Sequence, residues 1–485
     1  MNIFFNNSKI GLEEFDNNVK KLATVLRSKG LQAGGVVAIL LRNDVRQFEI
    51  IEACRYLEIS FVPLNWHATG SELQHILTDS GASVLIAHAD LASAAINELS
   101  EQACILVYPT PENILVSYNI KKQEKTVLES RCEDMTTLLE NANPISTAIK
   151  PFRGIFSYTS GSTGRPKGIR RQVSQSQSDP YGVYERLART LLKLEKGDRF
   201  YVSAPIYHSA PNALSLCCIA ARYADMYIEP KFDAEKFLAD IERYKITHTY
   251  IVPTMMIRLL KLPKEVKEKY DISSLKFGIS SGSAWPADVK KAMIDWFGPI
   301  FYESYGASEI GFMTLISSEE AIKKPGSVGK ILSGGSIKIL DDDKNELAVG
   351  ESGSIYVYLP MFGDFVYTNS AENEPDERYQ GHTTVGDIGY VDAQGYLYIN
   401  DRKKDMIISG GANIFPAEIE AAMVEMPQIL DCAVFGIADK EFGEKVVAAV
   451  TCQVGHSLSL QQVHAFLDGK ISRFKYPRQL DLHDS

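Results

Sequence analysis

The sequence predicts an α/β protein with a large N-terminal domain of mainly parallel sheets, a small β-rich subdomain, and a small α+β C-terminal domain. Three observations support this prediction. The chain has 485 residues, more than one hydrophobic core comfortably serves. Strand-like and helix-like segments alternate up to about residue 315, as in βαβ units. Short β segments separated by glycines follow, and a compact mixture of helices and strands ends the chain.

The first predicted element is a helix at 12–30, where apolar residues recur at helical spacing up to the stop signal Gly30. The elements predicted after it are a strand at 36–41, a helix at 45–57, a strand at 60–63, a helix at 72–79, and strands at 83–87 and 155–158; a helix at 184–194 and a strand at 199–203 follow. This order predicts βαβ units and a mainly parallel sheet. The polar, low-complexity segment 172–179 is expected to be mobile.

The pattern changes at about residue 326, where short β runs punctuated by glycine predict an antiparallel subdomain up to about residue 400. The last part of the chain predicts a compact α+β unit, with a helix at 416–426, strands at 432–436 and 445–453, and a helix at 460–467. We therefore divide the chain into an N-terminal domain, 1–401, and a C-terminal domain, 402–485.

Composition excludes several classes of protein. Apolar residues make up 45% and charged residues 23% of the chain, as in ordinary globular proteins. The net charge of -10 argues against nucleic acid and anionic lipid as main partners. The longest apolar runs are strand-sized, and the polar first ten residues do not resemble a signal peptide. Seven scattered cysteines without C-x-x-C spacing predict a reduced, cytoplasmic protein without a structural zinc site.

The most specific stretch is 158–168, which reads YTSGSTGRPKG. Glycines let a backbone approach an anion closely, and hydroxyls and N–H groups can cradle phosphate oxygens, to which Lys167 adds a positive charge. It is not a Walker loop, because Pro166 precedes the lysine and Gly168 follows it. Ser/Thr/Gly clusters are usually plain surface loops, but this uninterrupted pattern is far more specific. The predicted phosphate-binding residues are Thr159, Ser160, Gly161, Ser162, Thr163, Gly164 and Lys167.

This loop resembles the signature loop of the AMP-forming adenylating enzymes, the superfamily of acyl-CoA synthetases, firefly luciferase and peptide-synthetase adenylation domains. Three further segments match the family in order. The segment 204–211 resembles its aromatic-His segment, the turn 279–286 its adenine-binding turn, and 305–309 its Y-G-x-(S/T)-E segment. Taken alone, these segments also fit a structural histidine, a strand-to-helix turn and a helix cap.

The resemblance implies a role for each matched residue. The acyl pocket is lined by Tyr207, His208, Asn212, Ala213, Gly282 and Gly306. The adenine and the acyl side are contacted by Gly282, Ser283, Ala284, Tyr305, Gly306, Ala307 and Ser308. Glu309 binds Mg²⁺, a hard cation that takes one or two carboxylates and completes its shell with phosphate and water. The catalytic group comprises Lys167, Thr163, His208, Glu309 and the hinge Lys404.

A fifth and dense segment, 384–420, carries the remaining implied roles. Asp387 accepts both ribose hydroxyls and Arg402 reaches the ribose. Lys404 is the pivot about which the small domain rotates. Ser409, Gly410 and Gly411 offer an open backbone edge to the pantetheine arm of CoA, because glycine adds no Cβ.

The implied function is an ATP-dependent, AMP-forming carboxylic acid–CoA ligase that uses Mg²⁺ and makes an acyl-adenylate and then a thioester. The motifs most resemble those of fatty- and aryl-acid CoA ligases. The pair Met255 and Met256 suggests an apolar, adaptable pocket, although core packing explains this pair equally well. Two alternatives are an acyl-AMP ligase that loads a carrier protein and an adenylation-impaired nucleotide-binding homologue. The sequence leaves monomer and homodimer open.

The C-terminal end departs from the family pattern. A P-x-x-x-x-G-K segment, whose lysine assists adenylation, follows an F/Y-K-x-P stretch in the family, represented in this chain by 474–477, and the sequence stops at Ser485 before it. We expect the polypeptide to continue past Ser485 and to complete the C-terminal domain. The alternative, a truly shortened protein, predicts that thioester formation survives while adenylation is crippled.

Overall fold

The computed structural model describes most of the chain, which falls into two compact units. The described residues are 1–100, 103–121, 131–150, 154–159, 167–171, 182–283, 285–362, 364–368, 378–403, 405–409, 412–439, 442–453 and 455–483. Unit 1 comprises residues 1–283, 291–313 and 359–375; unit 2 comprises residues 284–290, 314–358 and 376–485. This division differs from the boundary predicted at 401/402, which stays a prediction. The segment 172–179 lies outside the described residues.

Helices and strands alternate through the first part of the chain, as predicted. The elements up to residue 312 are β1 (Asn2–Phe5), β2 (Ser8–Gly11), α1 (Leu12–Ser28), β3 (Val36–Leu40), α2 (Val45–Leu57), β4 (Ser60–Pro63), α3 (Gly70–Ser80), β5 (Val84–His88), α4 (Ala89–Ala95), β6 (Cys104–Tyr108), α5 (Glu112–Ser117), β7 (Cys132–Asp134), α6 (Met135–Glu140), β8 (Phe156–Thr159), β9 (Lys167–Arg171), α7 (Gly182–Thr190), β10 (Arg199–Val202), α8 (Ser209–Ala221), β11 (Asp225–Ile228), α9 (Ala234–Tyr244), β12 (His248–Tyr250), α10 (Pro253–Leu260), α11 (Lys264–Lys267), β13 (Phe277–Ser280), α12 (Ala287–Phe297), β14 (Phe301–Glu303), β15 (Gly306–Ala307) and β16 (Gly311–Phe312).

Short strands dominate the rest of the chain. The elements after residue 312 are β17 (Thr314–Ser317), α13 (Ser318–Lys323), β18 (Ser327–Ile331), β19 (Ser336–Leu340), β20 (Gly353–Tyr358), β21 (Phe365–Tyr367), β22 (Arg378–Tyr379), β23 (His382–Val391), β24 (Leu397–Arg402), β25 (Ile407–Ser409), β26 (Ala412–Ile414), α14 (Pro416–Val424), β27 (Ile429–Asp439), β28 (Gly443–Cys452), α15 (Leu460–Leu467) and β29 (Gln479–His483).

Two mainly parallel sheets form the frame of unit 1. Seven strands are hydrogen-bonded in the order β14-β13-β12-β10-β11-β1-β2, and every neighbouring pair is parallel except β1 and β2. Five further strands form a parallel sheet in the order β4-β3-β5-β6-β7. Strands β3 and β5 are buried along their whole length, as their continuous apolar sequences require. The predicted α/β class with mainly parallel sheets is confirmed.

A small antiparallel sheet carries the phosphate-loop sequence. It has the strand order β21-β9-β8, and Thr159 at the end of β8 pairs with Lys167 at the start of β9. The stretch 160–166 therefore connects the two strands of one hairpin, and this connection itself lies outside the described residues. The hairpin fixes the direction from which both ends of the loop leave the sheet.

Helix boundaries follow local capping chemistry. Asp44 accepts a hydrogen bond from the Arg46 N–H at the start of α2. Thr69 and Glu72 form a capping box at the start of α3, which ends at Gly81 in the left-handed region. The predicted helix at 12–30 ends at Ser28, two residues early. The predicted strand at 432–436 is longer, because β27 pairs with β28 along almost its entire length.

Unit 2 contains an antiparallel sheet and a small α+β piece. The sheet has the order β19-β20-β23-β24-β18-β17, with β22 paired to β23, and so agrees with the predicted β-rich subdomain. The α+β piece has the strand order β26-β25-β28-β27, and β29 lies parallel to β28. Its core contains Ile407, Ile419 and Val463, from a strand and two helices. Among the helices described in either unit, none has the length and apolar character needed to cross a membrane.

A buried histidine lies at the amino end of strand β12 in unit 1. His248 is 2% exposed, with Nδ1 2.8 Å from Thr247 Oγ1 and 3.8 Å from Asp198 Oδ2. Lys276 Nζ is 2.8 Å from the other Asp198 oxygen. Burial lowers the pKa of His248 from 6.5 to about 4; the Asp198 charge opposes this shift and Lys276 adds to it. The ring is therefore neutral in the folded protein at pH 7.

We expect this histidine to make the protein less stable in mild acid. In the unfolded chain His248 protonates near pH 6.5, whereas in the folded chain it protonates only near pH 4. The stability that neutral His248 contributes above pH 6.5 is therefore lost progressively as the pH falls between these two values. The loss should be about 3 kcal/mol, and His248→Gln should reduce it. Urea midpoints between pH 7.5 and 4.5 measure this. His456→Gln, at an exposed position, should leave the pH dependence unchanged. Identical slopes in His248→Gln and the unmodified protein would contradict the assignment.

Candidate active site

Three of the predicted segments leave the same edge of the seven-stranded sheet. The aromatic-His segment follows β10, the turn 281–283 follows β13, and the segment 305–309 follows β14. Strands β10, β12, β13 and β14 are parallel neighbours, so their carboxyl ends meet at one edge. In open parallel sheets this edge is where ligands bind. The structure therefore collects segments about 100 residues apart in sequence at one place.

Lys167 and Glu309 both lie beside the ring of Tyr367. The ammonium nitrogen of Lys167 is 5.8 Å from the ring centroid, and the Tyr367 hydroxyl donates a hydrogen bond of 3.3 Å to Glu309 Oε1. Tyr367 reaches this position because β21 pairs with β9, placing Tyr367 opposite Ile169. A cation near the ring and a carboxylate bonded to the hydroxyl of the same tyrosine form a site that suits an anion accompanied by a metal ion.

Arg171 links the phosphate-loop hairpin to the segment of Glu309. Its guanidinium donates to the Ser308 backbone oxygen at 3.0 Å. Burial lowers its pKa, while the phenol of Tyr184 and the carboxylate of Glu309 act in the opposite direction. The Ser308 hydroxyl is 3.1 Å from that of Ser209, which lies within the aromatic-His segment. Hydrogen bonds therefore connect all three segments.

The aromatic-His segment lies against a group of aromatic side chains. The Tyr207 ring is 4.2 Å from the His208 ring, and Trp66 meets Tyr207 edge-on at 4.7 Å. The Trp66 indole N–H donates to His67 Nε2 at 3.0 Å. Partial desolvation lowers the pKa of His208, and nearby His67 lowers it further. The imidazole of His208 is therefore neutral at pH 7.

The residues after His208 belong to α8 and have unequal exposure. Asn212 is buried, and its side-chain amide donates to the Ile206 backbone oxygen at 3.2 Å. This bond holds the turn that carries Tyr207 and His208. Ala213 is partly exposed. Met255 and Met256, from α10, are 8% and 0% exposed, so both contribute to packing.

The predicted adenine-binding turn is held from strand β12. The hydroxyl of Tyr250 donates to the Ser281 backbone oxygen at 3.0 Å. Gly282 has φ +94°, a backbone conformation that side chains other than glycine rarely adopt. Gly282 and Ser283 are exposed at this turn. Just before it, the hydroxyl of Ser280 is buried at the carboxyl end of β13 with no hydrogen-bond partner among the described residues.

A tight two-stranded ribbon positions the predicted metal ligand. Gly306 and Ala307 in β15 pair with Phe312 and Gly311 in β16, and Glu309 lies in the turn between them. A Cβ on Gly306 would lie 2.4 Å from the Gly311 oxygen, so only glycine allows this pairing. The ribbon begins after Tyr305, whose backbone oxygen accepts from the Met313 N–H at 2.8 Å.

In unit 2, the two residues predicted to hold the ribose are neighbours. Asp387 in β23 pairs across the sheet with Arg402 in β24, and Arg402 Nε is 3.5 Å from Asp387 Oδ1. Asp387 is 6% exposed, whereas the Arg402 side chain is 57% exposed. Ser409 is buried at the end of β25.

Several predicted residues lie outside the described part of the chain. They are Ser160, Gly161, Ser162, Thr163 and Gly164 in the loop, Ala284 after the adenine-binding turn, and Lys404, Gly410 and Gly411 in the C-terminal part. Sequence reasoning missed Tyr367, Arg171 and Tyr250. Arg171 lies four residues after Lys167 and could have been found by strand alternation, whereas Tyr367 lies about 200 residues away and carries no local signal.

The donor set around Glu309 fits magnesium only in combination with a phosphate ligand. Among the described residues, no group of three or more His, Cys, Asp or Glu side chains could hold a metal ion. A single half-buried carboxylate, bonded to the tyrosine that Lys167 approaches, matches the preference of Mg²⁺ for one or two protein carboxylates and phosphate oxygens. The residues present thus fit a metal that arrives with a nucleotide.

Comparison with known proteins agrees with the predicted family. The model of the AMP-binding enzyme family matches residues 3–362, and that of the AMP-binding enzyme C-terminal domain matches residues 418–485. An indoleacetate–CoA ligase of Aromatoleum aromaticum is 30% identical over 465 residues, covering 95% of this chain and 87% of that protein. A long-chain-fatty-acid–CoA ligase of Bacillus subtilis is 29% identical over 497 residues, covering 98% and 87%.

Solved structures agree with the fold. The crystal structure of ATP-bound MatB from Rhodopseudomonas palustris superposes with a TM-score of 0.80 at 27% identity, covering 99% of this chain and 90% of that one. The predicted superfamily is confirmed by the match over most of the chain, and the predicted enzyme class agrees with the relatives' names. The chain belongs to the AMP-binding enzyme family.

Proposed function

We propose that the protein is an ATP-dependent, AMP-forming carboxylic acid–CoA ligase that acts on a hydrophobic acid. The observation that supports this most directly is that Lys167 and Glu309 both lie beside Tyr367, and that Glu309 follows β14 at the sheet edge where the other site segments meet. By the family resemblance, Lys167 belongs to the loop that binds the phosphates and Glu309 to the magnesium site, and the relatives are named as CoA ligases.

In the first step, a carboxylate oxygen attacks the α-phosphorus of ATP, the bond to the β-phosphate breaks, and pyrophosphate leaves. Lys167 and the loop hydroxyls bind the β- and γ-phosphates, and Glu309 holds the metal, which supplies charge neutralisation when bound. Asp387 accepts the ribose hydroxyls, and Gly282 and Ser283 lie along the adenine. Neutral His208 adds no positive charge that would trap the attacking carboxylate.

In the second step, the thiolate of CoA attacks the acyl carbonyl and AMP leaves. Rotation of the C-terminal part about Lys404 brings Ser409, Gly410 and Gly411 to the acyl-adenylate. These roles are proposed from the family resemblance. Because rotation separates the two steps, reorientation or product release can limit turnover.

The acid is proposed to be fatty or aromatic. The wall formed by Trp66, Tyr207 and His208 favours an apolar acyl group, because flat rings contact chains and rings alike. The two relatives act on an arylacetic acid and on long-chain fatty acids, so they do not separate these classes. We also propose that the protein is cytoplasmic and takes part in lipid metabolism.

A panel of acids tests the function. Fatty acids of increasing length and aryl acids should be assayed for AMP release with CoA, with a phosphopantetheinyl carrier protein, and with neither. We expect acid-dependent AMP release that requires CoA. Release that requires the carrier would identify an acyl-AMP ligase instead, and ATP binding without pyrophosphate exchange for any acid would contradict the proposed activity.

A further inference from the structure

Asp79 joins three segments of unit 1 that are far apart in sequence. Its Oδ2 accepts a hydrogen bond of 2.6 Å from the Tyr158 hydroxyl and another from the Thr368 hydroxyl, 289 residues away. Tyr158 is the penultimate residue of β8, next to the start of the phosphate loop. Thr368 directly follows β21 and Tyr367. One carboxylate oxygen therefore bonds to both strands that flank β9.

On strand β9, Gly168 lies against Thr368 and Tyr158. The Thr368 N–H donates to the Gly168 oxygen at 2.8 Å, and a Cβ on Gly168 would lie 2.4 Å from Thr368 Oγ1 and 2.8 Å from the Tyr158 ring. Tyr158, one residue before Thr159, is therefore bonded to the carboxylate directly, and Gly168, one residue after Lys167, is linked to it through Thr368. The Asp79 carboxylate also raises the pKa of the Tyr158 hydroxyl, in addition to the larger effect of burial, so this phenol stays a donor.

The position of Asp79 breaks a local rule of helix chemistry. It is the penultimate residue of α3, and the last turn of that helix contains no basic residue. A carboxylate at a helix C-terminus is disfavoured by the helix dipole, by about 0.3–1 kcal/mol at exposed sites. Such local conflicts are expected where a side chain serves a site rather than its own element. None of the steps assigned above uses Asp79.

We propose that Asp79 is a positioning residue for the triphosphate of ATP. It acts by fixing the two ends of the phosphate loop to the end of β21, which carries Tyr367, the residue that both Lys167 and Glu309 approach. The inference rests on the proposed function for its substrate. The inference goes beyond the proposed function, because it predicts that Asp79 matters for the binding of ligands with β- and γ-phosphates and not for the binding of AMP.

Nucleotide affinities of the full chain test this directly. Calorimetric titrations with ATP–Mg²⁺ and with AMP should be made for Tyr158→Phe and Thr368→Val, each of which removes one hydrogen bond to Asp79. We expect ATP affinity to fall about 5- to 20-fold and AMP affinity to change less than about 2-fold, because a misplacement of about 1 Å strongly weakens oriented contacts. Asp79→Ala should lose more, and Asp79→Asn should recover most of the affinity, because its amide oxygen can accept both hydrogen bonds.

Tyr201→Phe provides the matched control. The Tyr201 hydroxyl donates to Asp240 Oδ2 at 2.9 Å in the buried interior, so this variant also deletes one tyrosine–aspartate hydrogen bond. It should lower the melting temperature as Tyr158→Phe does and leave the ratio of ATP to AMP affinity unchanged. Equal losses of ATP and AMP affinity in Tyr158→Phe, or a selective loss of ATP affinity in Tyr201→Phe, would overturn the inference.

The half-reactions separate this inference from the proposed function. In an active enzyme, Tyr158→Phe should slow acid-dependent pyrophosphate exchange but not thioester formation from synthetic acyl-adenylate and CoA. If the unmodified protein binds ATP and catalyses neither reaction, the proposed function fails, while the ratio of ATP to AMP affinity still decides the role of Asp79.

Discussion

Replacing Glu309 by Gln should reduce acid-dependent pyrophosphate exchange about 10²- to 10³-fold, or about 3–4 kcal/mol in the barrier. Glutamine keeps the size of the side chain and can still accept from Tyr367, which donates to Glu309 at 3.3 Å. It removes the negative charge proposed to hold Mg²⁺ beside the departing pyrophosphate. The measurement is exchange of labelled pyrophosphate into ATP as a function of Mg²⁺ concentration, which should shift to higher concentrations in the variant.

Thioester formation from preformed acyl-adenylate is the internal comparison for Glu309→Gln. That reaction has no pyrophosphate to stabilise, so it should fall less than about 5-fold if the glutamate acts through charge on the departing group. Glu185→Gln, in the exposed part of α7, should change neither reaction. Equal losses in both half-reactions would show that Glu309 serves the structure of the β15–β16 ribbon and not the metal.

Replacing Asp387 by Asn should reduce kcat/KM about 10²- to 10³-fold in both half-reactions. Two hydroxyls donating to one carboxylate are charge-assisted hydrogen bonds, each worth about 1.5–3 kcal/mol. The ribose is present in ATP and in the acyl-adenylate, so this substitution should not distinguish the steps as Glu309→Gln does. Kinetics with ATP and with 2′-deoxy-ATP provide the measurement: the unmodified enzyme should discriminate between them, and the variant should do so less.

Asp342→Asn is the control for Asp387→Asn. Asp342 lies in the same unit, with its side chain 87% exposed and its carboxylate bonded to Lys403. Surface ion pairs contribute little, so activity should stay within about 2-fold. Unchanged discrimination against 2′-deoxy-ATP in Asp387→Asn would refute a ribose contact, even if overall activity fell.

The local elements of the fold were predictable because periodicity and capping are local. Helix α2 and strand β4 have the predicted bounds, since apolar patterning and turn residues determine them within a few positions. Strand β27 was predicted too short, because its ends are stabilised by pairing with β28 and not by its own sequence. The division at 401/402 stays untested: it follows the family pattern, whereas the compact units follow spatial contacts.

The sequence allowed a prediction of the candidate site, which stays a prediction, where one segment carries its own chemical signal. The loop around Lys167, the turn at Gly282, the carboxylate of Glu309 and the pair Asp387 and Arg402 stood out as unusual residue types at unusual places. The resemblance supplied their roles. Asn212 was predicted to line the acyl pocket. In the structure its side-chain amide donates a hydrogen bond to the Ile206 backbone oxygen.

The sequence by itself determined the α/β class and the family, and it predicts which segments carry the chemistry. Only the tertiary structure showed that Lys167 and Glu309 both lie beside Tyr367, and that Asp79 accepts hydrogen bonds from Tyr158 and Thr368. The physical reason is that the spacing of apolar residues indicates which residues are buried and whether a segment forms a helix or a strand. Which strands become neighbours, such as β9 and β21, depends on packing between residues about 200 positions apart, and no local pattern encodes it.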